Sequence, residues 1–408
     1  MGLRSIKEIF ITGHGPSSSH TMGPHFACDY ILKKYKNKNI EKIDVTLYGS
    51  LALTGKGHLT DYIIDLSLKD IPHEVNFDVV TVTEHPNTMT FDVYTSEGKY
   101  SENVISIGGG SIITRDNLLD TKIKGIYPHQ YMTDIMNYCL KNDISLYQYV
   151  EKHEDKDTYE YFKKVLRVMD EAVRRGLNAT GYLPGSLKVR RKAKEMYDAM
   201  EHSSLGVNDV AMNIAVHSFA VAEENAAGGI IVTAPTCGSA GVIPGCIQYL
   251  RMKGVSDDNI IKGLMVAGLF GIVCKMNASV SGAECGCQAE IGVACSMGAA
   301  MIAHCFGKGT VDIVQSAEIA LEHSLGLTCD PVDGYVQIPC IERCALFAIK
   351  AVNAVKLAVI IPDDDIHVSY DDSVKTMYKT GLDMNAKYKE TSLGGLAEII
   401  KREEKGKK

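Results

Sequence analysis

The spacing of hydrophobic and polar positions changes near residue 150 of the 408-residue chain. Before that point, short runs alternate or are rich in β-branched residues, and Gly or Asn breaks separate them, which predicts strands. One segment, GPHFACDYILKKYKN (23–37), instead carries apolar residues at helical spacing and predicts a helix. The predicted strands lie in KIDVTLYGSLAL (42–53), FDVVTVTEH (77–85) and MTFDVYTSEGKYSENVISIGGG (89–110).

After residue 160 the pattern becomes one of long helices, separated from the first part by the charged run EKHEDKDTYEYFKK (151–164). We therefore expect an α+β protein, with a mixed α/β domain at 1–155, an almost wholly helical domain at 156–400 and a charged tail at 401–408. The clearest predicted helices are YFKKVLRVMDEAVRRGL (161–177), VNDVAMNIAVHSFAVAEENAA (207–227) and IERCALFAIKAVNAVKLAV (341–359).

Composition and charge restrict the class of protein. Hydrophobic residues make up 45% and charged residues 23% of the chain, which is typical of a globular protein. The net charge of -7 argues against general binding to nucleic acid or to anionic membranes. The start, MGLRSIKEIF, lacks the apolar core of a signal peptide, and stretches such as VKLAVIIP (355–362) are too short to span a bilayer. We expect a cytoplasmic protein whose twelve cysteines are reduced.

Three glycine-rich stretches are candidate binding loops. LYGSLALTGKGHLTD (47–61) fails the phosphate-loop pattern, because five residues separate Gly49 from Gly55 and Lys56 precedes a glycine. SIGGGSI (106–112) allows either close approach of a ligand or a tight turn between strands. TAPTCGSAGVIPG (233–245) interrupts apolar helices and suggests a backbone shaped around a ligand.

The stretch ITGHGPSSSHTMGPHFA (11–27) places hydroxyl side chains just before a predicted helix. Such residues cap the helix, and a helix start lined with hydroxyls and free N–H groups also binds carboxylate or phosphate. Three histidines accompany them. The hydroxyl residues are Ser17, Ser18, Ser19 and Thr21, and the histidines are His14, His20 and His25.

Cysteines concentrate in SGAECGCQAEIGVACSMGAA (281–300) and GLTCDPVDGYVQIPCIERC (326–344). The spacings contain neither two short C-x₂₋₄-C pairs, as in zinc sites, nor the C-x₂-C-x₂-C run of a bacterial ferredoxin. From spacing alone, a thiolate-ligated metal site with ligands drawn from both segments is plausible.

Taken together, seven motifs in the same order resemble the iron–sulfur L-serine dehydratases, in the form that fuses both domains in one chain. The resemblance runs from about residue 12 to residue 396. The motifs are GPSSSHTMGP, YGSLALTGKGH, LPGSLKVRRKA, TAPTCGSAGVIPG, SVSGAECGCQAEIGVACSM, EHSLGLTCDPVDGYVQIPCIER and DMNAKYKETSLGGLA.

The resemblance implies conversion of L-serine to pyruvate and ammonia on a [4Fe–4S] cluster. The cysteines of its GCQ, TCDP and PCIER motifs correspond to Cys287, Cys329 and Cys340, and these would hold the cluster with one iron left open. Cys285, Cys295 and Cys344 are then expected to be structural.

The resemblance also implies roles in the N-terminal part. His58 would act as the base that removes the Cα proton, and His20 would position the substrate or assist proton transfer. Ser17, Ser18, Ser19 and Thr21 would bind the substrate carboxylate. We expect a homodimer with a small-molecule substrate and neither nucleic-acid nor membrane partners.

Other functions fit parts of the sequence. PGSLKVRRKAK (184–194) contains the S-x-K spacing found around the lysine of pyridoxal-phosphate dehydratases, with Lys188 as that lysine, although its basic surroundings favour a solvated helix start. The same cluster would also suit threonine dehydration or cysteine desulfidation, and a non-catalytic iron–sulfur or amino-acid sensor is the alternative from another class. The tail GGLAEIIKREEKGKK (394–408) has no cysteine, so we expect water or another small ligand on the open iron.

Overall fold

The computed structural model describes residues 2–114, 125–202, 209–362 and 366–406. These residues form two compact units, one of residues 13–114 and one of residues 2–12 with those from 125 onward. The division differs from the expected boundary at residue 155, because helices Met132–Asn142 and Leu146–His153 contribute their apolar faces to the core of the helical unit. The start of the chain joins that core through Leu3 and Ile6.

The smaller unit is built on a five-stranded sheet with the strand order β3-β2-β4-β5-β6. Strands β2 and β3 run parallel, and the two helices between them form the crossover that parallel strands require. The remaining neighbours are antiparallel. The elements are β1 (Thr12–His14), α1 (Gly23–Lys34), β2 (Ile40–Tyr48), α2 (Gly49–Thr54), α3 (Thr60–Ser67), β3 (His73–Asp78), β4 (Thr88–Thr95), β5 (Gly98–Gly108) and β6 (Ser111–Thr114).

Alternation of side chains creates the core of this unit. Every second residue of β2 from Ile43 onward is buried, and Phe91 and Val93 of β4 face the same core. Helix α1 confirms the helical spacing read from the sequence, since it buries Ala27 and Ile31 in that core. The mixed α/β class expected for the N-terminal part is therefore confirmed.

Two predicted strands are wrong in part. KIDVTLYGSLAL is a strand only to Tyr48, where helix α2 begins, and FDVVTVTEH leaves the sheet after Asp78. The glycines of SIGGGSI form the tight turn between β5 and β6, with positive φ angles of 59° and 72° at Gly109 and Gly110.

The larger unit is helical, as predicted. Helix α12 (Val293–Cys305) lies in its centre and packs against α9 (Val242–Met252), α10 (Asp257–Asn277), α13 (Thr310–Glu322) and α14 (Cys340–Ala358). Small residues such as Gly298 and Ala299 permit this close approach. Its remaining helices and strand are α4 (Met132–Asn142), α5 (Leu146–His153), α6 (Thr158–Asn178), α7 (Ala193–His202), α8 (Val210–Ala226), β7 (Ile230–Val232), α11 (Gly282–Cys285), α15 (Tyr370–Asp383) and α16 (Gly395–Gly406).

Helix α10 corrects one expectation from the sequence. Its 21 residues are long and apolar enough to cross a bilayer by length and composition, although no such stretch was expected. In the fold, 78% of its most apolar window is buried, and the helix packs against α12 and α6. Its hydrophobicity is therefore that of a core helix.

Candidate active site: a thiol cluster and a histidine pair

Cys287 lies at the start of the central helix of the larger unit. It precedes a π-helical turn, Gln288–Gly292, which continues into α12, and π turns of this kind are frequent at functional sites. The chain reaches Cys287 through Gly286, which has a φ of +73° and where a Cβ would lie 2.7 Å from the carbonyl oxygen of Leu327. Glycine is thus required to bring Cys287 against the loop that follows α13.

The other two cysteines expected as ligands are held by different elements. Cys329 pairs through its backbone with the segment after α15: its N–H donates to Tyr388 O at 2.8 Å, and its carbonyl accepts from Glu390 N at 2.7 Å. Cys340 is the first residue of α14, which packs against α12. Cys287 and Cys340 therefore both lie at helix N-termini, where the helix dipole favours thiolates.

The fold brings the three cysteines together. The thiol of Cys329 donates a hydrogen bond to Cys287, which lowers the pKa of Cys287 and raises that of Cys329. Burial, followed by the charge of Cys287, raises the pKa of Cys340 well above its ordinary value. Within the described residues, no three Cys, His, Asp or Glu side chains are spaced to hold a single ion. Three thiols from separate segments are the type of donor that iron–sulfur clusters take.

Arg343 connects all three cysteine segments. It donates to Thr328 O at 2.8 Å and to Asp330 Oδ1 at 3.2 Å, next to Cys329, and it also donates to the sulfur of Cys287. It lies one turn into α14, after Cys340. The charge of Arg343 thus offsets that of the thiolates, in the manner of partners that surround a metal ligand.

Three further cysteines have the environment of packing residues. The Cys344 thiol donates to Gly238 O at 3.2 Å, and burial raises its pKa to about 12. Burial likewise raises the pKa of Cys285 to about 11 and that of Cys295 to about 12. All three side chains are 1% exposed or less.

Sequence reasoning missed Glu290, which lies in the π turn after Cys287. Its Oε1 accepts a hydrogen bond from the Thr236 hydroxyl at 2.7 Å, and its Oε2 lies 3.9 Å from Cys329 Sγ. Burial raises the pKa of the carboxyl group. The signal was present in the sequence, because GCQAEIGVACSM places one charged residue in an otherwise apolar helix.

In the smaller unit, His20 and His58 form a close pair with ring centroids 4.7 Å apart. His58 Nδ1 lies 3.1 Å from the carbonyl oxygen of Thr54, so Nδ1 carries the proton and Nε2 has the lone pair. His58 Nε2 is buried and has no hydrogen-bond partner among the described residues. His20 is held at both ring nitrogens, by Ser19 Oγ at 2.8 Å and by Ser50 Oγ at 3.0 Å.

The hydroxyl residues of the serine-rich loop organise this pair. Ser17 caps the π-helical turn Ser18–Met22 by accepting from His20 N, and the Thr21 hydroxyl donates to His58 O at 2.8 Å. Thr60, which was not expected from the sequence, donates to His20 O at 2.6 Å. The hydroxyl of Thr21 is therefore already used to position His58.

The electrostatic state of both histidines follows from burial. Burial lowers the pKa of His58 below its ordinary value, and burial together with the proximity of His58 lowers that of His20 further. Both imidazoles are therefore neutral at neutral pH, which is the form that accepts a proton.

Two other features lie apart from these clusters. Lys188, the lysine of the S-x-K spacing, is exposed in the loop before α7 and has a φ of +49°. A cavity of about 410 Å³ opens between α6, α7, α8 and α9 and is lined by Arg174, Lys194, His217 and Arg251, with no cysteine in its wall.

Comparison with known proteins decides the family. Residues 80–397 match the family model for the serine dehydratase alpha chain, and residues 5–81 match the model for the beta chain. The chain belongs to the serine dehydratase family. It is 39% identical to L-serine dehydratase 1 of Escherichia coli (strain K12), over 96% of this chain and 98% of that protein. Similar coverage is found with the L-serine dehydratases of Streptomyces coelicolor, at 38% identity over 96% and 98%, and Haemophilus influenzae, at 36% over 96% and 98%.

The two family regions of this serine dehydratase meet within one sheet. Strands β2 and β3 belong to the beta-chain match, whereas β4, β5 and β6 belong to the alpha-chain match. The antiparallel β2–β4 pair therefore joins them, with seven residue pairs from Ile40–Thr95 to Leu47–Met89. The fusion of both regions in one chain, expected from the sequence, is confirmed.

Proposed function

We propose that this protein is an L-serine dehydratase that converts L-serine to pyruvate and ammonia and that holds a [4Fe–4S] cluster through Cys287, Cys329 and Cys340. The observation that carries this proposal is the convergence of these three thiols, from three separate segments, in a chain of the serine dehydratase family. When bound, the cluster supplies an open iron that acts as a Lewis acid on the departing hydroxyl group.

The thiol set fits such a group chemically. Thiolates are the preferred ligands of iron–sulfur clusters, and Cys287, which lies at a helix N-terminus, has a lowered pKa. Arg343 supplies a positive charge and N–H donors to the sulfur of Cys287. Hydrogen bonds of this kind tune cluster stability and potential.

We propose that His58 removes the Cα proton of the substrate. Its Nε2 has a lone pair because Nδ1 donates to Thr54 O, and no other described group occupies Nε2. The Thr21 hydroxyl fixes the backbone of His58, and His20 lies against its ring. Transfer of the Cα proton to Nε2, departure of the β-hydroxyl group as hydroxide and return of the same proton to form water give aminoacrylate, which tautomerises and hydrolyses to pyruvate and ammonia.

We propose that the serine-rich loop binds the carboxylate of the substrate. Ser17, Ser18 and Ser19 lie at the start of the π-helical turn that leads into α1, where N–H groups and hydroxyls favour an anion. Thr21 belongs to the same loop and contributes by holding His58. A cytoplasmic location and a homodimeric assembly, without nucleic-acid or membrane partners, complete the proposal.

The test is purification without oxygen, reconstitution with iron and sulfide, and measurement of pyruvate or 2-oxobutyrate from three substrates. We expect turnover of L-serine with iron and acid-labile sulfide in equal amounts. A preference for L-threonine or L-cysteine would mean that the proposed substrate is wrong. Turnover only with added pyridoxal phosphate would mean that the proposed cluster mechanism is wrong. A bound cluster without turnover would indicate a sensor.

A further inference from the structure

The carboxylate of Glu290 lies at the thiol cluster without a cation of its own. Thr236 donates to one oxygen at 2.7 Å, and Cys329 Sγ lies 3.9 Å from the other. Among the residues that the structure describes, no basic side chain forms an ion pair with Glu290, because the nearby Arg343 pairs with Asp330 at 3.2 Å. A carboxylate in such surroundings is costly unless something else supplies positive charge.

Two glycines lie against this carboxylate. A Cβ at Gly238 would lie 3.4 Å from Oε1, and a Cβ at Gly282 would lie 2.5 Å from Oε2. Glycine at position 282 is therefore required for Glu290 to adopt its place, and Gly238 lies in contact distance of Oε1. Glu290 is partly exposed.

We propose that Glu290 binds the α-ammonium group of the substrate. The inference rests on the proposed function, since L-serine brings a positive charge, a carboxylate and a hydroxyl group to the site. Glu290, which lies at the thiol cluster, accounts for the first of these groups. Thr236 holds Oε1 in place, and the carboxylate lone pairs that Thr236 does not use can accept from the ammonium N–H donors. Glu290 thus makes the enzyme selective for α-amino acids over acids that lack the amine.

The test compares L-serine with 3-hydroxypropionate, which keeps the carboxylate and hydroxyl groups but lacks the ammonium group. Glu290→Gln keeps an acceptor for Thr236 and removes the charge. We expect the KM for L-serine to rise at least about tenfold, the range for a hydrogen bond to a charged group. The inhibition constant of 3-hydroxypropionate should change by less than about twofold, because that ligand has no ammonium group to lose.

Iron content and a control variant separate the alternatives. Glu290→Gln should retain the iron and sulfide of the parent protein. The control is Glu318→Gln, because the Glu318 carboxyl group is also buried and accepts from Ser373 Oγ at 2.8 Å. This variant should leave the KM for L-serine and the inhibition constant of 3-hydroxypropionate unchanged. Loss of iron in Glu290→Gln would make Glu290 a support of the cluster, and equal weakening of both ligands would make its role structural. Either result, or an unchanged KM for serine, overturns the inference. Absence of serine turnover in the parent protein would instead refute the proposed function, and this inference with it.

Discussion

The thiol of Cys329 donates a hydrogen bond to Cys287, although the two residues belong to different segments with α12 and α13 between them. The contact depends on Gly286 and on the backbone pairing of Cys329 with Tyr388 and Glu390. The thiol cluster is thus assembled from separate segments, and Cys287 and Cys340 alone are more than fifty positions apart in the sequence. Its integrity depends on all of these segments.

Substitution of the three converging cysteines should remove the cluster. Cys287→Ala, Cys329→Ala and Cys340→Ala are each expected to lose iron, sulfide and serine turnover, because a cluster with only two protein thiolates is poorly held. Cys344→Ala is the control: its thiol donates to Gly238 O, and its loss should cost about 1 kcal/mol of stability while iron is retained. Retention of iron by Cys340→Ala together with its loss from Cys344→Ala would reverse these assignments.

Replacement of His58 should separate chemistry from cluster binding. His58→Ala is expected to keep its iron and to lose about 10²–10⁴-fold in kcat, the range for a general base. Exchange of the serine Cα proton with solvent should disappear as well. His25→Gln is a control in the same unit, since His25 Nδ1 contacts Ser67 Oγ at 2.8 Å and is not part of the histidine pair. Continued Cα exchange in His58→Ala would transfer the role of base to His20.

The lowered pKa of His58 sets the acid limit of activity. Burial moves this pKa below the ordinary 6.5, so Nε2 stays unprotonated at pH 6.5 and can act as a base. Activity is lost as the pH falls through the lower pKa of the folded protein, because Nε2 then becomes protonated. The same group opposes folding below pH 6.5, where the unfolded chain binds the proton more readily. A profile of kcat/KM against pH should place the acid limb below 6.5, and a limb above 6.5 would contradict the assignment.

Contacts of the C-terminal segment with the Cys329 loop should contribute more to iron retention than the last residues of the chain do. Asp330 accepts from Leu396 N at 2.9 Å and from Arg343, and Ser392 donates to Pro331 O at 2.6 Å. Deletion of residues 402–408 leaves these contacts in place and should leave iron content and turnover unchanged. Asp330→Ala removes two of them and should speed the loss of iron in air. Faster iron loss after the deletion alone would implicate the tail, against the expectation of water or a small ligand on the open iron.

Regular elements followed from the sequence wherever a local pattern determined them. Helix α1 and the long helices have apolar residues at helical spacing, and β4 and β5 alternate. The pattern of FDVVTVTEH predicted a strand along its whole length. In the structure the Asp78 carboxylate accepts from Val80 N and Thr81 N and ends the strand in a turn. At KIDVTLYGSLAL, Gly49 has a φ of +52° and lies against Pro86, so the chain turns there into a helix.

The candidate site was less accessible to sequence reasoning from first principles. Spacing left a thiolate site open, and only the family resemblance selected Cys287, Cys329 and Cys340. Ser50, Thr54 and Thr60 were missed, although they hold His20 and His58, because their role comes from tertiary contacts with no sequence pattern. Glu290 was missed although its sequence signal, one charged residue in an otherwise apolar helix, was present.

The most direct test of the account is the rate of pyruvate formation from L-serine as a function of bound iron, in protein prepared without oxygen. The account predicts a rate that rises in proportion to iron and levels off at about four irons per chain, with acid-labile sulfide rising in parallel. Cys287→Ala treated in the same way should neither bind iron and sulfide nor form pyruvate from L-serine. Full serine turnover in iron-free protein, or no turnover at full iron and sulfide content, would contradict the account.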